Sequence, residues 1–158
     1  MTIDVSRPLA HDDGFARMPN ILFRMYPLLD GFSLETVGLY GYLLSWRQNK
    51  SGHAMYGKVW LNQLDITAQT GLSAYKIRTN IDILVRYGLL NVSKSRMVAN
   101  KRIYEPLEPL TEAEFHAIYA EEVRAFQERV DAAAHEIEED KERLLLKQAE
   151  FEPEAKAS

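Results

Sequence analysis

Residues 61–106 constrain the fold more than any other part of the chain: LNQLDITAQTGLSAYKIRTNIDILVRYGLLNVSKSRMVANKRIYEP. The segment from Asn62 to Gln69 carries Leu64, Ile66 and Ala68 and follows Leu61. It stops at Thr70-Gly71, where a glycine can take the left-handed conformation that closes a helix. Ser73 is placed to cap a second helix, in which Ile77, Ile81 and Leu84 repeat at i, i+4 and i+7, the spacing of one buried face. The opposite face carries Tyr75, Arg78, Thr79, Asp82 and Arg86, with Lys76 and Ile83 on its shoulder and Asn80 beside the core.

Gly88 ends that helix, and Leu89, Leu90 and Val92 begin a strand. Lys94, Ser95, Arg96, Asn100, Lys101 and Arg102 then surround Met97-Val98-Ala99 before Ile103 and Tyr104 resume strand character. Helix, tight turn, helix and a hairpin with a basic tip is the layout of a winged helix-turn-helix, with the basic loop as the wing. The fold class expected is therefore mainly α: a winged helix-turn-helix domain with a small β-hairpin wing, followed by a long, coiled-coil-like C-terminal helix.

The net charge of −4 argues against a polyanionic partner only if it is spread evenly, and it is not. Between Arg47 and Arg102 ten Lys and Arg face only Asp65 and Asp82, a surplus of eight positive charges. From Thr111 to Ser158 six Lys and Arg face fourteen Asp and Glu, a surplus of eight negative charges. Local field rather than overall charge governs attraction to phosphate, so the central module is the candidate for DNA.

At 158 residues the chain has room for one compact domain and an extension. Residues 1–14 show no periodicity and read as a flexible arm; residues 15–106 form the DNA-binding domain. Pro19 and Pro27 break 15–29 into a short helix or packing segment. Ser33 starts a helix running to about Gln48, its apolar stripe made of Leu34, Val37, Tyr40 or Gly41 and Leu44, widened by Leu39, Leu43 and Trp46. Gly38 and Gly41 in that helix suggest close approach by a neighbour. Residues 56–60 are the candidate first strand. Residues 107–110 are a two-proline connector, and Thr111-Glu112-Ala113-Glu114 is a capping box opening a helix over 111–148, about 55 Å long at 1.5 Å per residue. Residues 149–158 read as a flexible tail.

Along that helix Tyr119, Val123, Phe126, Val130, Ala133, Ile137, Asp140 and Leu144 alternate steps of four and three, a heptad seam. Tyr119, Val123, Phe126, Val130, Ile137 and Leu144 are the expected oligomerisation residues, with Glu136 and Lys141 at the spacing of an interchain pair in a parallel coiled coil. A brace folded back on the domain is the other use of its aromatic first turns.

Catalytic and cofactor chemistry finds little support. Gly52 to Lys58 has the spacing of a phosphate-cradling loop, but Val59 stands where a hydroxyl must hold magnesium, and no buried strand precedes it. The four histidines lack close partners, the carboxylate pairs lie on a polar helix, and no nucleophile elbow is present. No cofactor, no metal and no enzymatic activity are expected. Zero cysteines, no signal-like N-terminus and no window with the ~18 apolar residues of a membrane span fit a cytoplasmic chain that avoids membranes.

Phe15-Ala16-Arg17-Met18-Pro19-Asn20-Ile21-Leu22, Ser45-Trp46-Arg47, Gly71-Leu72-Ser73, Tyr87-Gly88-Leu89-Leu90 and Pro109 to Phe115 together resemble the N-terminal winged-helix domains of plasmid and phage replication initiators and DnaD-like replisome organisers. The likeness covers about residues 15–115; an acidic helix stands where such proteins have a second globular domain. The resemblance implies origin or operator recognition on a mobile element, with replication proteins as further partners and the helix serving assembly. The expected DNA contacts are Ser73, Tyr75, Lys76, Arg78 and Thr79 on the second helix and Lys94, Arg96, Lys101 and Arg102 on the wing. A transcriptional repressor and a winged-helix protein-interaction adaptor are the alternatives.

Overall fold

The computed structural model describes residues 14–98 and 101–156, with side chains through residue 151. Residues 1–13 of the expected arm, Ala99 and Asn100 of the expected wing, and residues 157–158 of the expected tail lie outside the described residues. The chain divides into two units at Ala113/Glu114. The whole is mainly helical, with a small three-stranded antiparallel sheet and a long C-terminal helix.

In the first unit, α1 (Ile21–Arg24) follows Pro19 and gives way to a short 3-10 turn, Tyr26–Leu28, where Pro27 sits in the first turn. Helix α2 spans Leu34–Ser45. Ser33 accepts from the Thr36 amide while Thr36 Oγ1 accepts from the Ser33 amide, a reciprocal cap. The helix stops before Gln48, because the Gln48 backbone is already paired: its amide donates to Lys58 O and its carbonyl accepts from Gly57 N. Leu34 and Trp46, expected in the buried stripe, lie at the two ends and are exposed; Val37, Leu39, Tyr40 and Leu43 are buried. Of the two helical glycines, Gly41 is the one crowded, with Met18 Sδ 2.7 Å from where a Cβ would stand, while nothing approaches Gly38.

Strand β1 is Val59–Leu61, later than expected, since Tyr56 and Lys58 amides close turns on His53 and Met55. Helix α3 (Gln63–Thr70) is capped reciprocally by Asn62 and Asp65 and closed by Gly71 at φ 74°. Only Ile66 of its apolar residues is fully buried; Leu64 is exposed. Helix α4 (Ala74–Arg86) is capped by Ser73. It ends in a Schellman motif: Leu89 N donates to Leu84 O and Gly88 N to Val85 O, with Gly88 at φ 73° and both leucines fully buried. Ile77, Ile81 and Leu84 are core as their spacing predicts. Ile83, expected on the exposed shoulder, is buried too, because the Asp30-Gly31-Phe32 turn closes over it; the Tyr87 hydroxyl donates to Asp30 O there.

Strands β2 (Leu90–Lys94) and β3 (Arg102–Pro106) are antiparallel, with β3 central in the order β1-β3-β2. Val59 and Val92 both pair with Tyr104, whose ring is buried in the core. Two buried tyrosines fasten the connector that follows: Tyr40 donates to Leu107 O at 2.8 Å, and Tyr26 Oη accepts from Leu110 N at 3.1 Å.

Helix α5 runs Glu112–Lys156 with non-helical angles at Tyr119, a break without Gly or Pro, where an uninterrupted helix was expected. It also passes the expected end at Gln148 and continues through Pro153 to Lys156. Along the seam Val130, Ile137 and Leu144 are exposed, and Val123 and Phe126 partly so.

Candidate nucleic-acid interface

Helix α4 divides cleanly. Its buried side anchors it, and its far side presents Tyr75, Arg78, Asp82 and Arg86 to solvent, with Thr79 partly covered. The position of this helix is set by a polar network that starts on α2. Thr36 Oγ1 donates to Asn80 Oδ1 at 2.7 Å, and Asn80 Nδ2 donates to both Glu35 Oε1 and Lys76 O at 2.9 Å. Asn80 and Thr36 are buried, and a buried amide satisfied on both ends specifies one register between the helices.

Glu35 also reaches Lys76, with Nζ and Oε2 3.4 Å apart. Of the expected contacts on α4, Lys76 is therefore partly neutralised, and the Ser73 side chain is occupied as the cap of Lys76 N. Tyr75 and Arg78 project freely into solvent.

An open cleft of about 770 Å³ separates α4 from the β2–β3 hairpin. Its lining brings together Arg78 from α4, Lys94 from β2, Lys101, and Arg102 from β3, with Asn62, Gln63 and Leu64 at the start of α3 forming the third wall. Its floor is Ile77, Ile81 and Tyr104. Four cations line it and no carboxylate does. Asp82 is outside the lining, and Asp65 is turned inward to accept the Asn62 amide.

One of these cations, Lys101, is held against the sheet. The Lys101 ammonium lies 4.3 Å from the centre of the Trp60 ring, a cation–π contact that fixes its stem on the sheet. The hairpin is closed beyond β2 by Ser95 N donating to Lys101 O at 2.9 Å, while Ser95 Oγ accepts from Met97 N and Val98 N at 3.3 Å. Arg96 stands exposed at the tip, outside the cleft, beside the exposed Met97. Burial pushes the Tyr104 phenol up and Arg102 pulls it partly back, so the floor of the cleft stays uncharged at neutral pH.

The structure thus places Arg78, Lys94, Lys101 and Arg102 around one cleft and leaves Ser73, Tyr75, Lys76, Thr79 and Arg96 outside its lining. Sequence reasoning missed Asn62, Gln63, Leu64, Trp60 and Glu35. For Leu64 there was a usable signal, an apolar residue two positions from Ile66 and so on the opposite face of a short helix. For Glu35 there was none, since it meets Lys76 across 41 residues of sequence.

The segment Gly52 to Val59 forms successive turns leading into a strand instead of a helix, and the amides of His53, Met55, Tyr56, Gly57 and Lys58 already donate within the chain. Among the described residues, no group of three or more His, Cys, Asp or Glu is arranged to hold a metal ion, and no helix is long and apolar enough to cross a membrane. A scan against protein-family models, a search of curated proteins and a search of solved structures each returned no match.

Proposed function

We propose that this chain binds double-stranded DNA as a winged helix-turn-helix made of α3, α4 and the β2–β3 hairpin, acting as a binding protein and not as an enzyme. The observation that carries the reading is the cleft between α4 and the hairpin, lined by Arg78, Lys94, Lys101 and Arg102 without a carboxylate. A B-form duplex separates its major and minor grooves by one sugar-phosphate strand. A helix entering the major groove and a hairpin reaching the minor groove must therefore straddle that strand. The cleft is where the strand would pass, with Lys94, Lys101 and Arg102 as the phosphate contacts and the exposed Arg78 reaching past the strand to the bases.

Base readout falls to what projects beyond the cleft, namely Tyr75 and Arg78, with Thr79 beside them. Arg78 is the best suited, because a guanidinium can bond guanine O6 and N7 together. Lys76 contributes less than its position suggests, since Glu35 competes for it. The hairpin tip, with Arg96, supplies contacts that carry little sequence information.

The biological setting we favour is replication initiation or replisome organisation of a plasmid or phage, with operator binding by a transcriptional repressor as the second setting; the resemblance of residues 15–115 supports the first. Self-association through α5 completes the reading. Selection of duplexes from a random-sequence pool tests it. A short enriched motif is expected, with Arg78→Ala losing preference for that motif over random duplex and Arg96→Ala losing affinity for both alike. Absence of duplex binding at low salt would overturn both DNA settings and leave protein contact as the use of the domain.

A further inference from the structure

Helix α5 carries two kinds of charge. Some pair within the chain: Arg124 with Glu121 and Glu128, His135 against Glu139, Lys141 with Glu138, and Arg143, 3.1 Å from Asp140. Glu122, Arg129 and Glu136, which flank the apolar seam, take part in none of the ion pairs among the described residues. With Arg143 and Glu150 they form a row at seven-residue spacing that alternates in sign. In a heptad, charges flanking the seam select the partner and its direction.

The seam itself divides into two rows. Val123, Val130, Ile137, Leu144 and Phe151 are all apolar, while Tyr119, Phe126, Ala133, Asp140 and Lys147 run from aromatic to charged. A parallel, in-register pair of helices sets each residue against itself. Asp140 then meets Asp140 and Lys147 meets Lys147, like charges in the core of the seam, and the flanking row contributes only Glu136 against Lys141.

We propose that α5 docks on a second copy of itself in the antiparallel direction, centred near residue 132. This direction sets Glu122 against Arg143 and Arg129 against Glu136 of the second copy, each pair made twice by symmetry, so four of the five charges in the flanking row meet an opposite one and Glu150 lies beyond the paired stretch. The seam layers become Val130 with Ala133, Ile137 with Phe126 and Leu144 with Tyr119, each pairing a larger side chain with a smaller or aliphatic one. Asp140 meets Val123 and keeps its own Arg143 at the seam edge. Exposure of Val130, Ile137 and Leu144 in the single chain leaves these layers open to be covered. The inference rests on the self-association reading of α5 and adds its direction. Antiparallel pairing sends the starts of the two helices to opposite ends of the pair.

The full chain has no cysteine, so Ala149→Cys gives one labelling site on the exposed surface of α5. Light scattering gives the mass, and pulsed electron resonance between spin labels gives the distance. A dimer with labels about 50 Å apart is expected, from 1.5 Å per residue over the offset between the two copies. A dimer with labels about 20–25 Å apart, two helix diameters, would overturn the antiparallel direction while leaving self-association standing. A monomer at every concentration would overturn both. As a second measurement, Arg129→Glu alone should weaken the dimer on the order of tenfold. Adding Glu136→Arg should restore it, because the exchanged pair is again complementary. In a parallel dimer the new arginine faces Lys141 and nothing is regained, which would also sink the proposal.

Discussion

The dependence of duplex affinity on salt follows from the number of cations in the cleft. Arg78, Lys94, Lys101 and Arg102 line it, and Trp60 holds Lys101 in place. Each neutralised phosphate releases condensed counterions and contributes about −0.9 to the slope of log affinity against log salt, so Lys94, Lys101 and Arg102, with Arg78 given to the bases, yield about −2.7. Raising salt from about 50 to about 200 mM then lowers affinity about 40-fold; with Arg102→Ala the slope becomes about −1.8 and the loss about 12-fold. If Lys76 and Arg96 also reach phosphates, the slope steepens to about −4.5. Fluorescence anisotropy of a labelled duplex at five salt concentrations measures both slopes. A wild-type slope near zero, or a slope unchanged by Arg102→Ala and Lys94→Ala, would refute phosphate binding in the cleft.

Asn80→Ala removes the amide that joins Thr36, Glu35 and the Lys76 carbonyl, and should cost about 2–3 kcal/mol in urea unfolding, since the remaining buried groups lose their partner. Leu84→Ala should cost about 2–5 kcal/mol, whereas Leu64→Ala, at a residue 79% exposed, should stay within about 0.5 kcal/mol in the same assay. The Tyr40 hydroxyl is pushed up from 10.0 to about 12, by burial first and by Glu108 and Tyr26 next, with Arg47 opposing. A folded value above the unfolded one means that the stabilisation is fully present below pH 10 and is lost as pH rises towards about 12. Tyr40→Phe, which deletes the bond to Leu107 O, should cost about 1 kcal/mol at pH 7 and unfold with a shallower alkaline dependence.

How much of the fold can be read locally is clear from α4. Ser73, the Ile77-Ile81-Leu84 row and Gly88 each act within a turn or two of chain, and cap, buried face and Schellman stop are all where that local chemistry puts them. Where a distant element decides, the reading slips. Ile83 looks exposed on a helical wheel until the Asp30-Gly31-Phe32 turn covers it, and the end of α2 moves because Lys58 and Gly57 claim the Gln48 backbone. Leu34, Trp46 and Leu64 match the helical period yet fall at helix ends or beside an open cleft, since period alone does not say what lies opposite. The cleft itself needs three segments in register. The basic residues of two of them stand out in the sequence; the Asn62-Gln63-Leu64 wall and the restraint of Lys76 by Glu35 depend on packing between helices.

Amide chemical shifts of the full chain, followed by heteronuclear NMR as a duplex is added at low salt, test the central claim most directly. The account predicts perturbations concentrated at Asn62, Gln63 and Leu64, along the outer face of α4 at Tyr75, Arg78 and Thr79, and at Lys94, Lys101 and Arg102, with the outer faces of α5 unmoved. Perturbations absent from the cleft and gathered elsewhere, or no perturbation at all, would contradict it.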